Sequence, residues 1–215
     1  MPTLYGYFRS SAAYRVRIAL NLKKVESKHV GVHLVRDGGE QHQQSYRLMN
    51  PQGLVPTMLH QGQVFTQSLS IIEFLDETFP EPPLLPATAA ERARVRSIAQ
   101  MIACDIHPLN NLRVLQYLKG KIHLDEIDVN TWVNHWIGEG FKSLEMMLSQ
   151  HPATAEFCHG HQPTLADICL IPQIYNAERY GHPMNQYPTL SRINQRCLSI
   201  PAFKKAAPEL QPDAP

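Results

Sequence analysis

The chain has 215 residues, more than one small domain needs and enough for two that share an interface. Lys and Arg number 20 against 19 Asp and Glu, a formal charge of +1, so no strongly basic surface is on offer to nucleic acid or to an anionic membrane. The opening residues MPTLYGYFRS lack the apolar core of a secretory signal and no apolar run approaches the length that spans a bilayer, so a cytoplasmic protein is expected.

The apolar run Thr3 to Phe8 predicts a strand. A polar turn follows, and Ala13, Val16, Ala19 and Leu20 then fall at helical spacing, predicting a helix from about Ser11 to Lys23. Lys28 to Leu34 predicts a second strand, Asp37-Gly38-Gly39 a break, and Gln41 to Leu48 a weak helix. Leu54 to His60 and Gln63 to Thr66 predict a hairpin turned at Gln61-Gly62, and Ser68 to Phe79 a helix. The order βαβαββα gives a mixed sheet with helices on both faces, the order of a thioredoxin-like fold. Its parallel first pair requires the helical crossover that Tyr14 to Leu22 supplies. Pro56 falls at the start of a strand, where its missing amide is tolerated at an edge or a special turn. Base rates favour a trans bond there, since about 5 to 6% of such bonds are cis. A cis Val55-Pro56 bond would turn the Val55 backbone toward a ligand in extended conformation.

Glu81 to Pro86 is proline-dense, which places a linker at 81–87 between a domain at 1–80 and one at 88–215. From Thr88 onward the patterns are helical only: about Thr88 to Cys104, Leu109 to Lys119, Glu126 to Gln150, Leu165 to Arg179 and Leu190 to Ser199, an all-α bundle in which Pro108 separates the first two. Thr164 and Asp167 have the spacing of a capping box, which gives Asp167 a structural role. Trp132 and Trp136 share a helix face and are expected in the core. Asp105 to Arg113 gathers polar residues around a proline, consistent with either a cleft or a solvated bend.

The four cysteines, Cys104, Cys158, Cys169 and Cys197, are scattered without a CxxC pair and fit reduced thiols. His151, His159 and His161 lie close in sequence, but no acidic or cysteine partner clearly completes a ligand set, and no metal is expected. Ser10 and Ser11 sit where the N-cap of the first helix belongs. Both hydroxyls either cap, or one caps while the other holds a thiolate or carboxylate at the positive end of the helix. Ser68 can likewise cap its helix and leave first-turn amides for a carboxylate. A thioredoxin-like redox enzyme needs a thiolate at the start of the first helix, and that position reads Ser10-Ser11-Ala12-Ala13.

Arg9 to Leu20, RSSAAYRVRIAL, resembles the active-site signature of zeta-class glutathione transferases, S-S-C-x-[WH]-R-V-R-I-A-L after the first strand. Ala12 stands where most of that family carries cysteine, and Tyr14 replaces one aromatic ring by another. Asn50-Pro51 followed by Val55-Pro56-Thr57, the pair Gln67-Ser68, the core Pro108-Leu109-Asn110-Asn111-Leu112 and the Thr164/Asp167 pair extend the likeness over nearly the whole chain.

The resemblance implies a glutathione transferase fold with a cis Pro56 and glutathione as cofactor. The implied glutathione contacts are Ser10, Ser11, Ala12, Gln41, Val55 and Pro56, with Gln67 and Ser68 at the γ-glutamyl carboxylate. His107, Asn111, Leu112 and Arg113 align with glutathione or substrate contacts, His107 standing where relatives often have glutamine. Of the two serines Ser11 is favoured as the thiol-activating hydroxyl, being taken as nearer the first free amides. Lowering a thiol from about 8.5 to about 6.5 takes roughly 2.7 kcal/mol, within reach of a charged hydrogen bond (about 1.5 to 3) and a helix N-terminus (about 0.3 to 2). The implied substrate is a dicarboxylate with conjugated oxo groups, for which Arg9, Arg179 and then Arg113 are the candidate cations, whereas Arg15 and Arg17 are expected to make structural ion pairs. The implied reaction is isomerisation of maleylacetoacetate to fumarylacetoacetate in tyrosine breakdown, by thiolate addition to the cis double bond, rotation and elimination. Maleylpyruvate and α-halo acids are alternative substrates. A non-catalytic binding module of the same fold is the reading from another class, against which the intact serines, Gln67-Ser68 and Val55-Pro56 argue. A homodimer is implied, with no nucleic-acid or membrane partner.

Overall fold

At the centre of the first unit lies β1 (Thr3–Gly6), paired in parallel with β2 (Lys28–Gly31) and antiparallel with β3 (Thr57–His60), which pairs antiparallel with β4 (Gln63–Thr66). The sheet order is β2-β1-β3-β4 in this computed structural model, which describes all 215 residues. Helices α1 (Ser11–Leu22) and α3 (Ser68–Thr78) pack on each other, Val16, Ile18 and Leu20 of the first and Ile71, Ile72 and Leu75 of the second all being buried, while α2 (Gln44–Arg47) is a single turn after a 3-10 turn at Glu40–His42. Lys23 closes the far end of α1. Its buried ammonium donates to Asp76 (2.5 Å) and to the carbonyls of Pro80 and Pro82, so the desolvated charge is fully compensated.

The strands are shorter than the apolar runs suggest, for local reasons. β1 ends at Gly6 because the next residues build a turn, the Ser10 N–H donating to the Tyr7 carbonyl at 3.0 Å. β3 begins only at Thr57 because the Leu54 carbonyl is taken by the Tyr46 hydroxyl (2.7 Å) and the Asn50 carboxamide (2.8 Å) instead of by a strand.

Residues 84–198 form a second unit. It holds α4 (Ala89–Gln100), α5 (Leu112–Gly120), α6 (Glu126–Ser149), α7 (Leu165–Arg179) and α8 (Pro188–Leu198). The core stripe of α6 is Val133, Ile137, Phe141, Leu144 and Leu148. Trp132 and Trp136 lie half-buried beside that stripe instead of in it, edge to face at 5.7 Å, because the Trp132 indole N–H reaches out to the Leu109 carbonyl at 2.7 Å. α7 is buried almost from end to end.

Residues 199–215, including α9 (Pro201–Ala206), group with residues 1–83 and not with the helices they follow. The sequence places 88–215 together in the helical domain, and the structure corrects that for the tail, since no local pattern says which core a C-terminal segment serves. What holds the tail is α1, where Arg17 Nε donates to the Ala206 carbonyl (3.0 Å) and Asn21 to the Ala202 carbonyl (2.9 Å).

Cys158, Cys169 and Cys197 are buried and Cys104 is exposed. Burial pushes the Cys158 and Cys197 thiols up, leaving them as small hydrophobes. His159 stands 3.6 Å from Glu91, and His161 3.3 Å from Glu156. No helix is long and apolar enough to cross a membrane.

Candidate active site

In the first unit, the turn after β1 carries Arg9, Ser10 and Ser11. Ser10 is extended (φ −68°, ψ 117°) and caps α1, its Oγ accepting from the Ala13 N–H at 3.2 Å. Ser11 is the first helical residue and is buried, with Ala12 next. The hydroxyl on a first-turn amide is therefore that of Ser10, which removes the reason for preferring Ser11. A hydroxyl that accepts one bond still has its proton to donate, and accepting from an N–H polarises that donor. Arg9 is exposed; its guanidinium donates to the Tyr7 hydroxyl (3.3 Å) and stacks 5.2 Å from the Phe8 ring centroid.

The Val55-Pro56 bond is cis. Tyr46 and Asn50 fix both sides of it, at the Leu54 carbonyl and at Thr57 Oγ1 (2.9 and 3.2 Å), and leave Val55 before the start of the β3 ladder. Gln67 occupies the cap position of α3 at φ 67°, a left-handed conformation that a non-glycine residue holds at a cost on the order of 1–3 kcal/mol. Ser68 is thus the first helical residue and not the cap. Its buried hydroxyl accepts from Arg15 Nη1 at 3.3 Å, and α3 begins with no side-chain cap, so its first amides lack that partner. Gln41 is buried with its carboxamide on the Leu34 carbonyl (3.2 Å) and against the His42 ring (3.1 Å), so the side chain shapes the loop ahead of α2. Arg15 and Arg17 both turn inward, and Arg17 reaches carbonyls: Phe8 at 2.9 Å, Tyr7 at 3.5 Å and Ala206.

In the second unit, α4 widens into a π-helical turn at Met101–Ile106 and tightens into a 3-10 turn at His107–Asn110, where the sequence predicts an ordinary helix to about Cys104 and a separation at Pro108. Such turns concentrate at functional sites. Asn111 caps α5, accepting from the Arg113 N–H (3.2 Å), with its carboxamide 3.4 Å from His107 Nε2. Arg113 and Arg179 are exposed, the latter 5.6 Å over the Tyr180 ring. The sequence reading missed a buried polar cluster: Asn110 Nδ2 donates to Asn176 Oδ1 at 2.6 Å, and Gln173 Nε2 to the same oxygen at 3.4 Å. Its signal was two amides three residues apart within the otherwise apolar body of α7.

A serine at the N-cap of the first helix, a cis proline before β3 and an uncapped α3 offer an extended peptide a donor, a backbone edge and a carboxylate site, and glutathione fits that set. Together with the all-helical unit, they define a protein of the glutathione transferase class. Residues 4–83 match the family described as glutathione S-transferase, N-terminal domain. A probable maleylacetoacetate isomerase of Vibrio cholerae is 52% identical over 98% of this chain and 97% of its own. Among solved structures, the holo form of a bacterial zeta-class maleylpyruvate isomerase has a TM-score of 0.96 at 42% identity, covering 99% of this chain and 100% of its own. The maleylacetoacetate isomerase of Methylobacterium extorquens AM1, with malonate and glutathione bound, has 0.95 at 40% identity, covering 99% of each chain. The chain belongs to the zeta-class glutathione transferases, the family of the maleylacetoacetate and maleylpyruvate isomerases.

Proposed function

We propose that this protein is a glutathione-dependent cis–trans isomerase that converts maleylacetoacetate to fumarylacetoacetate, a step of tyrosine breakdown. The observation that carries the proposal is the Ser10 hydroxyl, anchored at the positive end of α1 by the Ala13 N–H with its proton left to donate. Bound glutathione supplies the thiol that adds reversibly to the double bond. Ser10 holds that sulfur as thiolate, assisted by the α1 dipole; the Val55 backbone aligns the peptide, and the first turn of α3 with Ser68 takes its γ-glutamyl carboxylate. Arg9 offers a substrate carboxylate a charged donor, and Arg113 and Arg179 are candidates for the same role. Loss of maleylacetoacetate absorbance should require both protein and glutathione; no loss under those conditions sinks the proposal. Running maleylpyruvate beside it tests the second reading, which the similarity to the solved maleylpyruvate isomerase favours.

Ala12 is the position at which the family's cysteine is missing. Addition and elimination use one thiol, which glutathione brings, so Ala12→Cys is expected to change kcat/KM by less than about tenfold, or 1.4 kcal/mol. A gain of about a hundredfold would show that the second sulfur matters.

The same reading makes the protein a cytoplasmic homodimer. Four cysteines held without a disulfide accord with a reducing compartment. Sedimentation at micromolar concentration should give about twice the mass of the 24.4 kDa chain, and a monomer would contradict it.

A further inference from the structure

We infer that Asp213, in the C-terminal tail, is a positioning residue for the turn that carries Ser10, an inference that rests on the function proposed above. The Phe8 peptide, two residues before Ser10, is gripped from both sides: its N–H donates to Asp213 Oδ2 at 2.8 Å, and its carbonyl accepts from Arg17 Nη2 at 2.9 Å. Arg17 also reaches the Tyr7 carbonyl (3.5 Å), the acceptor of the Ser10 N–H (3.0 Å), and it anchors the tail through the Ala206 carbonyl. The backbone from Tyr7 to Ser10 is therefore set by one carboxylate and one guanidinium, neither of which is a glutathione contact in this reading.

Two observations argue that this grip is specific. Gly31, at the end of β2, leaves the space Asp213 occupies, since a Cβ there would lie 3.1 Å from the Asp213 Cβ. The tail that carries Asp213 is also anchored on α1, Arg17 and Asn21 donating to the Ala206 and Ala202 carbonyls, so the carboxylate is delivered to the Phe8 peptide by a fixed segment. Because a hydrogen bond from Ser10 to sulfur weakens steeply with small displacements, releasing the Phe8 peptide should loosen thiol activation without removing any group that touches glutathione.

The test is the pH titration of the thiolate absorbance of glutathione bound to the full chain, with KM for glutathione and kcat measured alongside. Asp213→Asn keeps an acceptor oxygen without the charge and should titrate within about 0.3 units of the wild type. Asp213→Glu keeps the charge but moves the oxygen by one methylene, and should raise the thiolate pKa by about half a unit to one unit, with a fall in kcat of about three- to tenfold and little change in KM. Asp213→Ala should match or exceed that shift, and the first two variants decide the matter if it does not fold. Equal shifts in Asn and Glu variants, a shift in Asn alone, or none in either would overturn the inference. A wild-type protein that shows no bound thiolate below the pKa of free glutathione would instead overturn the functional reading on which the inference stands.

Discussion

Ser10→Ala should raise the pKa of bound glutathione by about one to two units, the equivalent of a single hydrogen bond to a charged sulfur worth about 1.5 to 3 kcal/mol. At a pH below both values this is a tenfold to hundredfold loss of thiolate, and kcat should fall with it. Ser10 is also the α1 cap, so alanine costs about 1 kcal/mol of stability as well. Ser10→Gly separates the two effects. Glycine caps within a few tenths of a kcal/mol of serine but has no hydroxyl, so this variant should be nearly as stable as the wild type and titrate like alanine. Ser11→Ala should move the titration by less than about half a unit, and Arg9→Ala should leave it in place while raising KM for the dicarboxylate. If Ser11→Ala shifts the thiolate and Ser10→Ala does not, the serines exchange roles; if neither does, activation by hydroxyl is the wrong mechanism.

The fold was largely legible because it depends on periodicity and punctuation. Alternation, the 3.6-residue spacing of α1 and the turn at Gln61-Gly62 are local signals, and the βαβαββα order follows from them. What stayed hidden depends on contacts far apart in the chain. The sequence predicts no helix at 201–206, and nothing local there reveals that its carbonyls are claimed by Arg17 and Asn21; a lone Asp213 near a proline-rich end carries no motif. Site residues were legible as residue types and less so as roles. Ser10 and Ser68 both read as caps, yet the cap of α3 is Gln67, because Ser68 is drawn inward by Arg15, 53 positions away. The π-helical turn at Met101–Ile106 was missed because its residues, MIACDI, would suit an α-helix equally well; widening of a helix has no compositional mark.

Asp167→Ala should destabilise the second unit by about 3–5 kcal/mol, as large a loss as any single substitution here is expected to cause. The carboxylate is fully buried: Oδ1 accepts from the Cys158 N–H (2.8 Å), and Oδ2 from both the N–H (2.8 Å) and the hydroxyl (2.9 Å) of Thr164. Burial pushes this carboxyl up, and the bonds from Cys158 and Thr164 work against that rise. Alanine would strand two backbone donors where water cannot reach them, each costing about 1–3 kcal/mol, and would remove a negative charge from the first turn of α7. Thr164→Ala leaves both backbone donors to the carboxylate and removes only the hydroxyl donor, and should cost about 1.5 to 3 kcal/mol. Asp167→Asn should fall between the two, since its one oxygen can serve one donor while its NH₂ faces the other. Urea unfolding followed by fluorescence of Trp132 and Trp136, both on α6 of the same unit, measures each loss. A cost below about 1 kcal/mol for Asp167→Ala would mean that the structure around α7 does not depend on this carboxylate, and a chemical role for it would then have to be sought. A large cost, with the thiolate titration of the folded protein unchanged, would keep Asp167 out of the catalytic machinery.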